Sequence, residues 1–361
     1  MLKKIDIYII RKFLGTFFYA IALIISIAII FDFSEKIDDF VEKNATMHQV
    51  IFDYYMNFIP YFANLFSGLF TFIAVIFFTS KMAYNSEITA ILSSGITYRR
   101  MMRPYLISAA VIALFSWTLS NFIIPPANKV KIKFENTFIN TTTKSSDDAN
   151  IHMELAPNVY VYMQSFSSQT KTGYKFTIEK FNDRQELRSK LSSETVQYDT
   201  VKHVWRANNY FIRTLDGEKE KLIYGTSIDT TLSILPTDFN LDKNAVETFN
   251  LFQLNRYIKE QKSRGLGNVI LFEIERNKRT AACFSAFILT IIGVSLASRR
   301  VRGGLGLHLG LGMLLSFSYI MFQQVTKVFA LSGALPPMIA TWIPNIIYTI
   351  IAIILYRRAS N

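Results

Sequence analysis

The stretch FLGTFFYAIALIISIAIIF, residues 13–31, contains no charged residue. A helix of this length crosses the hydrocarbon core of a bilayer, which takes about 20 apolar residues. Five further uncharged stretches of similar or greater length follow it along the chain: 54–80, 104–128, 280–298, 303–326 and 328–356. The sequence therefore predicts a polytopic α-helical membrane protein with six transmembrane helices.

Only 18% of the 361 residues are charged, whereas soluble proteins carry about 25%. The polar sequence is concentrated between the third and fourth spans, where short segments rich in Val, Ile, Thr, Tyr and Phe alternate with turn-like clusters. This spacing is typical of an antiparallel sandwich, a jelly roll or a barrel fragment. Pro125-Pro126 is expected to end the third span. We predict three parts: 1–128 with three spans, 129–248 with the strands, and 249–361 with an amphipathic connector and three spans.

The excess of positive charge predicts the orientation of the helices. The net charge is +12, and residues 129–250 contribute nothing to it because they hold 16 basic and 16 acidic residues. The N-terminus, the loop 81–103, the turn 299–302 and the tail together hold 13 basic residues and two acids. The positive-inside rule places these segments and both termini in the cytoplasm, with residues from about 129 to 275 outside. This topology also accounts for the basic composition without nucleic-acid binding.

The sequence contains no nucleotide-binding, zinc-protease or serine-hydrolase motif, and no metal-ligand spacing. His48 and Asp53 fit the H-x-x-x-x-D spacing of some acyltransferases, a short pattern that is common by chance. Gly306 and Gly310 form a G-x-x-x-G within a span, which indicates close helix packing rather than phosphate binding. We therefore predict no catalytic residue, no metal and no cofactor bound directly by this chain.

The loop KMAYNSEITAILSSGITYRRMMR, residues 81–103, predicts a short helix over about 85–95. Asn85 or Ser86 is a candidate N-cap, Glu87 favours the first turn, and Gly95 is a candidate C-cap. The residues Ile88, Ile91 and Leu92 form one apolar face. A helix this short needs a surface to pack on, which is either the headgroup layer or a cytoplasmic partner. In the second case Glu87 is the residue that would pair with a partner's arginine.

Basic residues also follow two of the spans on their outer side. Lys36 lies beyond the first span, and Lys129, Lys131 and Lys133 lie beyond the third. Lysines at span ends commonly snorkel to the headgroups. The alternative is that these four line one cavity and hold the phosphates of an amphiphile.

The sequence resembles the lipopolysaccharide export permeases, the LptF/LptG family. The resemblance covers nearly the whole chain, including the arrangement of three spans, an insert and three spans. It is carried by SEITAILSSGIT (86–97), SNFIIPPAN (120–128), FEIERNKRTAAC (272–283), SRRVRGG (298–304) and LSGALPPMIATWIPNIIY (331–348).

The resemblance implies a permease subunit of an ABC transporter in the bacterial inner membrane. Its implied partners are a homologous second permease, a dimeric cytoplasmic ATPase that holds ATP and Mg²⁺, and a periplasmic jelly-roll bridge with a membrane-anchored jelly-roll subunit. The substrate would be lipopolysaccharide, and the insert would be a periplasmic β-jelly-roll domain. Glu87 matches the family's coupling-helix glutamate, and Lys36 lies near a first-span lysine that contacts the lipid's acidic groups.

Three other functions remain open at this stage. The chain could be the permease of another ABC lipid or lipoprotein exporter, a membrane-embedded acyltransferase using His48 and Asp53, or a sensory or scaffold protein. Co-purification of an ATPase favours a transporter, whereas activity of the lone chain on an acyl donor favours the enzyme.

Overall fold

The chain is described by a computed structural model that covers most of its length. The described residues are 3–139, 151–167, 170–200, 202–217, 219–232, 234, 236, 245–263, 269–299 and 304–360. Two compact units divide the chain: Met1–Ile139 with Glu273–Asn361, and Asn140–Phe272. These boundaries lie later in the chain than the predicted ones at 128/129 and 248/249.

The first unit is helical. Six helices among the described residues are long and apolar enough to cross a membrane, which confirms the predicted fold class. In chain order the helices are α1 Lys4–Glu42, α2 Met47–Gln49, α3 Met56–Leu65, α4 Ser67–Tyr84, α5 Glu87–Ser93, α6 Tyr98–Thr118, α7 Ile124–Phe138, α9 Ile270–Ala297, α10 Gly304–Leu331 and α11 Pro337–Ser360, with α8 in the second unit. Two π-helical segments, Val50–Tyr55 and Leu119–Ile123, join α2 to α3 and α6 to α7.

The second unit contains the predicted antiparallel sheet and the amphipathic connector. The strands are β1 Ile151–Ala156, β2 Val159–Met163, β3 Ser165–Ser167, β4 Thr172–Phe181, β5 Leu187–Asp199, β6 Val204–Asp216 and β7 Lys219–Thr230. Their order is β1-β2-β4-β5-β6-β7, with β3 paired to β4. Trp205 is fully buried, and its indole Nε1 donates to the Ile234 carbonyl at 2.9 Å. In α8, Leu251–Ser263, the buried residues Leu254 and Ile258 form the predicted apolar face.

The prediction that Pro125-Pro126 ends the third span is wrong. The helix continues through both prolines to Phe138, so one helical run extends from Tyr98 to Phe138. Proline lacks the N–H that a helix interior needs, but it is tolerated in the first turn, where that N–H has no partner. The π-helical segment just before the prolines shifts the backbone hydrogen-bond register. Helix α7 begins after this shift, so both prolines lie in its first turn.

The prediction that Gly306 and Gly310 mark a close helix contact is also wrong within this chain. Neither glycine has a described atom within 4 Å of the position a Cβ would take. The close approach occurs at two other glycines instead. A methyl group on Gly293 would lie 2.2 Å from Val75 Cγ1, and one on Gly312 would lie 2.4 Å from Ile76 Cδ1. Thus α4 packs directly against the backbones of α9 and α10, where a side chain larger than hydrogen has no room.

We predict opposite effects for the same substitution at two of these glycines. Gly293→Ala drives a methyl group into the stiff side chain of Val75, and overpacking of this kind costs about 1–3 kcal/mol. Gly310→Ala meets open space, so it leaves stability unchanged or raises it slightly, because alanine is the better helix former. Thermal unfolding of the purified chain in detergent measures both. Equal melting temperatures for the two variants would contradict the packing described here.

Candidate functional site

The loop between α4 and α6 folds as predicted into a short helix, α5, at the end of the bundle where α1 and α6 begin. We call this end of the first unit the basic end. Gly95 adopts a left-handed conformation with φ of 83°, as expected of a C-cap glycine. The predicted N-cap is wrong, because Ser86 precedes the helix with φ of 62° and its hydroxyl makes no capping bond. A capping side chain normally extends from a β-region residue, and the left-handed turn at Ser86 removes that geometry.

The predicted apolar face of α5 is divided between the core and the surface. Ile88 is 2% exposed, and Ile91 packs half-buried against the same core. Leu92 is 38% exposed and contributes little to this packing. The helix therefore rests on the bundle itself through Ile88 and Ile91, and its outer surface remains free within the described chain.

Glu87 is held at the start of α5 by two neutral donors. The Tyr8 hydroxyl donates to Glu87 Oε2 at 3.0 Å, and Asn85 Nδ2 donates to Oε1 at 3.3 Å. Among the described residues no lysine or arginine forms an ion pair with this carboxylate. The side chain is half-buried, so its charge is positioned but not neutralised. Such a carboxylate is suited to receive a cation from outside the chain.

An ion pair that the sequence did not reveal supports this end of the bundle. Arg100 donates from Nη1 and Nη2 to the two carboxylate oxygens of Asp6, at 2.7 and 2.6 Å. Asp6 is 3% exposed and also accepts from the Lys3 backbone N–H at 2.8 Å. The pair joins the first turn of α1 to the first turn of α6, and both residues line a small cavity with Ile91 of α5. The two residues are 94 positions apart, and no local pattern connects them.

At the other end of α1, Lys36 belongs to a polar cluster. Its ammonium contacts Asp32 at 2.6 Å and hydrogen-bonds the Tyr54 hydroxyl. Tyr54 and Tyr55 donate in turn to the two Asp32 oxygens, at 3.2 and 3.1 Å. The Lys36 charge is therefore balanced by Asp32 and lies 4.9 Å from the centre of the Tyr54 ring.

Of the three other predicted lysines, Lys131 lies beside the aromatic rings that surround Lys36. Tyr54 packs on Phe58, with ring centroids 5.9 Å apart, and Lys131 lies 5.7 Å from the Phe58 ring and 3.4 Å from Glu135. Lys129 and Lys133 are exposed and lie two residues to either side on α7. Since each helical residue turns by about 100°, they point about 160° away from Lys131. The four lysines therefore do not form one row.

The geometry does not support the candidate catalytic pair. His48 is exposed, and its ring lies 4.7 Å from the Phe52 ring. Within the described part of the chain, no hydrogen bond connects its imidazole to Asp53. A base without an orienting acid lacks the arrangement that the acyltransferase hypothesis requires.

Comparison with protein families gives a match over nearly the whole chain. A family model described as lipopolysaccharide export system permease LptF/LptG matches residues 7–358, nearly the whole chain. The matched range includes α5, Lys36 and Lys131. A search of curated proteins finds no significant match.

We expect Asp6→Asn to lower the melting temperature of the chain, because it leaves the Arg100 guanidinium without its bidentate partner. Adding Arg100→Gln to the same variant should restore part of the loss, since no uncompensated charge then remains. Asp38→Asn is the control, because it removes one acidic charge from an exposed position on the same helix. Unfolding scans in detergent test this series. A control that melts as early as Asp6→Asn would show that total charge, rather than the ion pair, sets the stability.

Proposed function

Because the chain belongs to the LptF/LptG family of lipopolysaccharide export permeases, we propose that it works as one of two paired permeases driven by a separate ATPase that docks at α5. The chain is a multi-pass membrane protein and the permease component of a lipopolysaccharide export system. It is a transport subunit and not an enzyme, so the acyltransferase and scaffold hypotheses are set aside.

We propose that the basic end of the bundle faces the cytoplasm. The start of α1, the loop that holds α5 and the end of α11 meet there, and the segments that the sequence assigns to the cytoplasm carry 13 basic residues against Asp6 and Glu87. This distribution is the one that the positive-inside rule associates with cytoplasmic loops. The strand unit would then lie outside, in the periplasm of a Gram-negative cell.

The docking proposal rests chiefly on the unpaired carboxylate of Glu87. The carboxylate is oriented by Tyr8 and Asn85, yet no cation within the described chain neutralises it. Leu92 and the rest of the outer surface of α5 are exposed beside it. An arginine in a groove of a cytoplasmic ATPase would neutralise the Glu87 carboxylate, and apolar side chains of the same groove would cover Leu92.

We predict that Glu87→Gln weakens association with the ATPase by about 10- to 150-fold, the equivalent of about 1.5–3 kcal/mol for a charge-assisted hydrogen bond. Tyr8→Phe is the matched control, since it removes the hydrogen bond to Glu87 but keeps the negative charge. Co-purification of the ATPase and ATP hydrolysis in nanodiscs measure the effect. If Glu87→Gln retains wild-type association, the carboxylate does not contact the motor. If Tyr8→Phe loses as much as Glu87→Gln, docking depends on the orientation of the carboxylate and not on its charge alone.

We propose that lipopolysaccharide binds near Lys36 and Lys131. The Lys36 ammonium lies over the Tyr54 ring, and the Lys131 ammonium lies over the neighbouring Phe58 ring. The aromatic rings can pack against acyl chains, and the ammonium groups can bind phosphates. The acidic partners Asp32 and Glu135 hold the lysines in place when no phosphate is present. Lys129 and Lys133 are oriented away from this cluster and are proposed only as contacts with bulk headgroups.

We expect Lys36→Gln and Lys131→Gln to weaken lipopolysaccharide binding mildly, because a partly solvated ion pair contributes only about 0.5–1 kcal/mol. The double variant Lys36→Glu/Lys131→Glu should lose most binding, because four carboxylates then surround the site. Lys129→Glu/Lys133→Glu is the control with the same change in charge on the opposite side of α7. Lipopolysaccharide retained by the purified complex, with and without ATP, distinguishes the two pairs. Equal losses would favour ordinary snorkelling of all four lysines.

We further propose that the outer strands of the sheet contact a periplasmic jelly-roll bridge. Within the described strands β1 and β7 lie at the two edges, and β7 is largely exposed. An open edge can pair with a strand of another protein through backbone hydrogen bonds. The second permease would contact the exposed apolar surfaces of the helical unit.

A further inference from the structure

A cavity of about 350 Å³ lies at the basic end of the helical unit, between α6, α9 and α11. None of the residues that line it belongs to the proposed lipopolysaccharide site around Lys36 and Lys131. Its size falls in the range of small-molecule and lipid-chain sites, about 300–1,000 Å³. The walls are mostly apolar, and the charged residues among them are Arg99 and Arg103.

The two arginines suggest an anionic ligand. They are four residues apart on α6, so they lie on one face of the helix, where like charges repel. Neither forms an ion pair with any described residue, unlike the neighbouring Arg100, which is paired with Asp6. Two guanidinium groups at this spacing can bind one phosphate with several parallel hydrogen bonds.

The depth of the cavity indicates what accompanies the anion. Arg99 and Tyr356 lie close to the helix ends, whereas Leu106 and Thr349 line the cavity seven residues further into the bundle. Seven helical residues correspond to about 10 Å along the axis. A ligand that fills this space therefore has a charged head at the basic end and an apolar chain directed toward the middle of the membrane.

We propose that this cavity binds one anionic phospholipid of the leaflet that borders the basic end. Its phosphate lies between Arg99 and Arg103, and one acyl chain packs along Leu106, Ile291 and Ile353. This site is separate from the proposed lipopolysaccharide site. It would give the transporter a dependence on the charge of the surrounding membrane lipids, through a bound lipid that packs α6 against α9 and α11.

The test measures binding of phosphatidylglycerol to the purified chain in detergent by native mass spectrometry. Arg99→Gln/Arg103→Gln should weaken binding at least tenfold. The matched control is Arg357→Gln/Arg358→Gln, which removes the same charge from the same end but from residues that do not line the cavity. Phosphatidylcholine should bind the wild type more weakly than phosphatidylglycerol does. Its binding should be the same in the two pairs of arginine variants.

A second pair of variants tests the apolar part of the cavity without changing charge. Ile353 is 49% exposed and lines the cavity, whereas its neighbour Ile354 is 60% exposed and does not. Ile353→Trp should fill the chain-binding space and lower phosphatidylglycerol binding several-fold, and Ile354→Trp should not. Since both positions are partly exposed, both variants are expected to fold, and their melting temperatures check this.

Three outcomes would overturn the proposal. Equal losses in the two arginine pairs would mean diffuse attraction between the basic end and any anionic surface. Competition by glycerol phosphate as strong as that by the lipid would mean a site for an anion without a chain. Loss of ATPase association with unchanged lipid binding in Arg99→Gln/Arg103→Gln would assign the arginines to a protein contact.

Discussion

The hydrocarbon of a bilayer offers no water to bond a free backbone N–H or C=O, so each crossing segment must satisfy its own hydrogen bonds. This constraint explains how the third span passes Pro125-Pro126. The prolines remove donors, yet the π-helical turn at Leu119–Ile123 lets a new helical segment begin with proline in its first turn. The same demand keeps α1 continuous over 39 residues and restricts the strands to the unit between the spans.

The continuous α1 brings both candidate sites onto one element. Asp6, near its start, is paired with Arg100, and Asp32, near its end, is paired with Lys36. The two aspartates are 26 residues apart, which corresponds to about 39 Å along a helix. That distance is close to the thickness of a bilayer with its headgroup layers, about 40–45 Å. Each ion pair would therefore lie near the boundary of the apolar core, where the protein shields Asp6 from water and Lys36 stays partly exposed.

The contrast between paired and unpaired charges separates structural from functional candidates. Asp6 and Arg100 neutralise each other and hold two helices together. Among the described residues, Glu87 is oriented by neutral donors alone, and Arg99 and Arg103 share one helix face without an acidic partner. A charge that the fold positions but leaves without a counter-ion is stabilised best by a ligand or partner of opposite sign. Each of the proposals for the basic end follows from that asymmetry.

The sequence by itself determined the six spans, the antiparallel insert and the short α5 helix with Gly95 at its end, because hydrophobic length, strand periodicity and the φ of glycine are local properties. It also supplied the family resemblance, through motifs from both ends of the chain. Tertiary structure alone decided which residues meet. Asp6 pairs with Arg100, 94 positions away, and the close helix contact is at Gly293 and not at the G-x-x-x-G pair. Lys131 lies over the rings of Phe58 and Tyr61, whereas Lys129 and Lys133 are exposed. These contacts depend on the rotation of each helix about its own axis. That rotation is set by the packing of all neighbouring helices together, so no local stretch of sequence determines it.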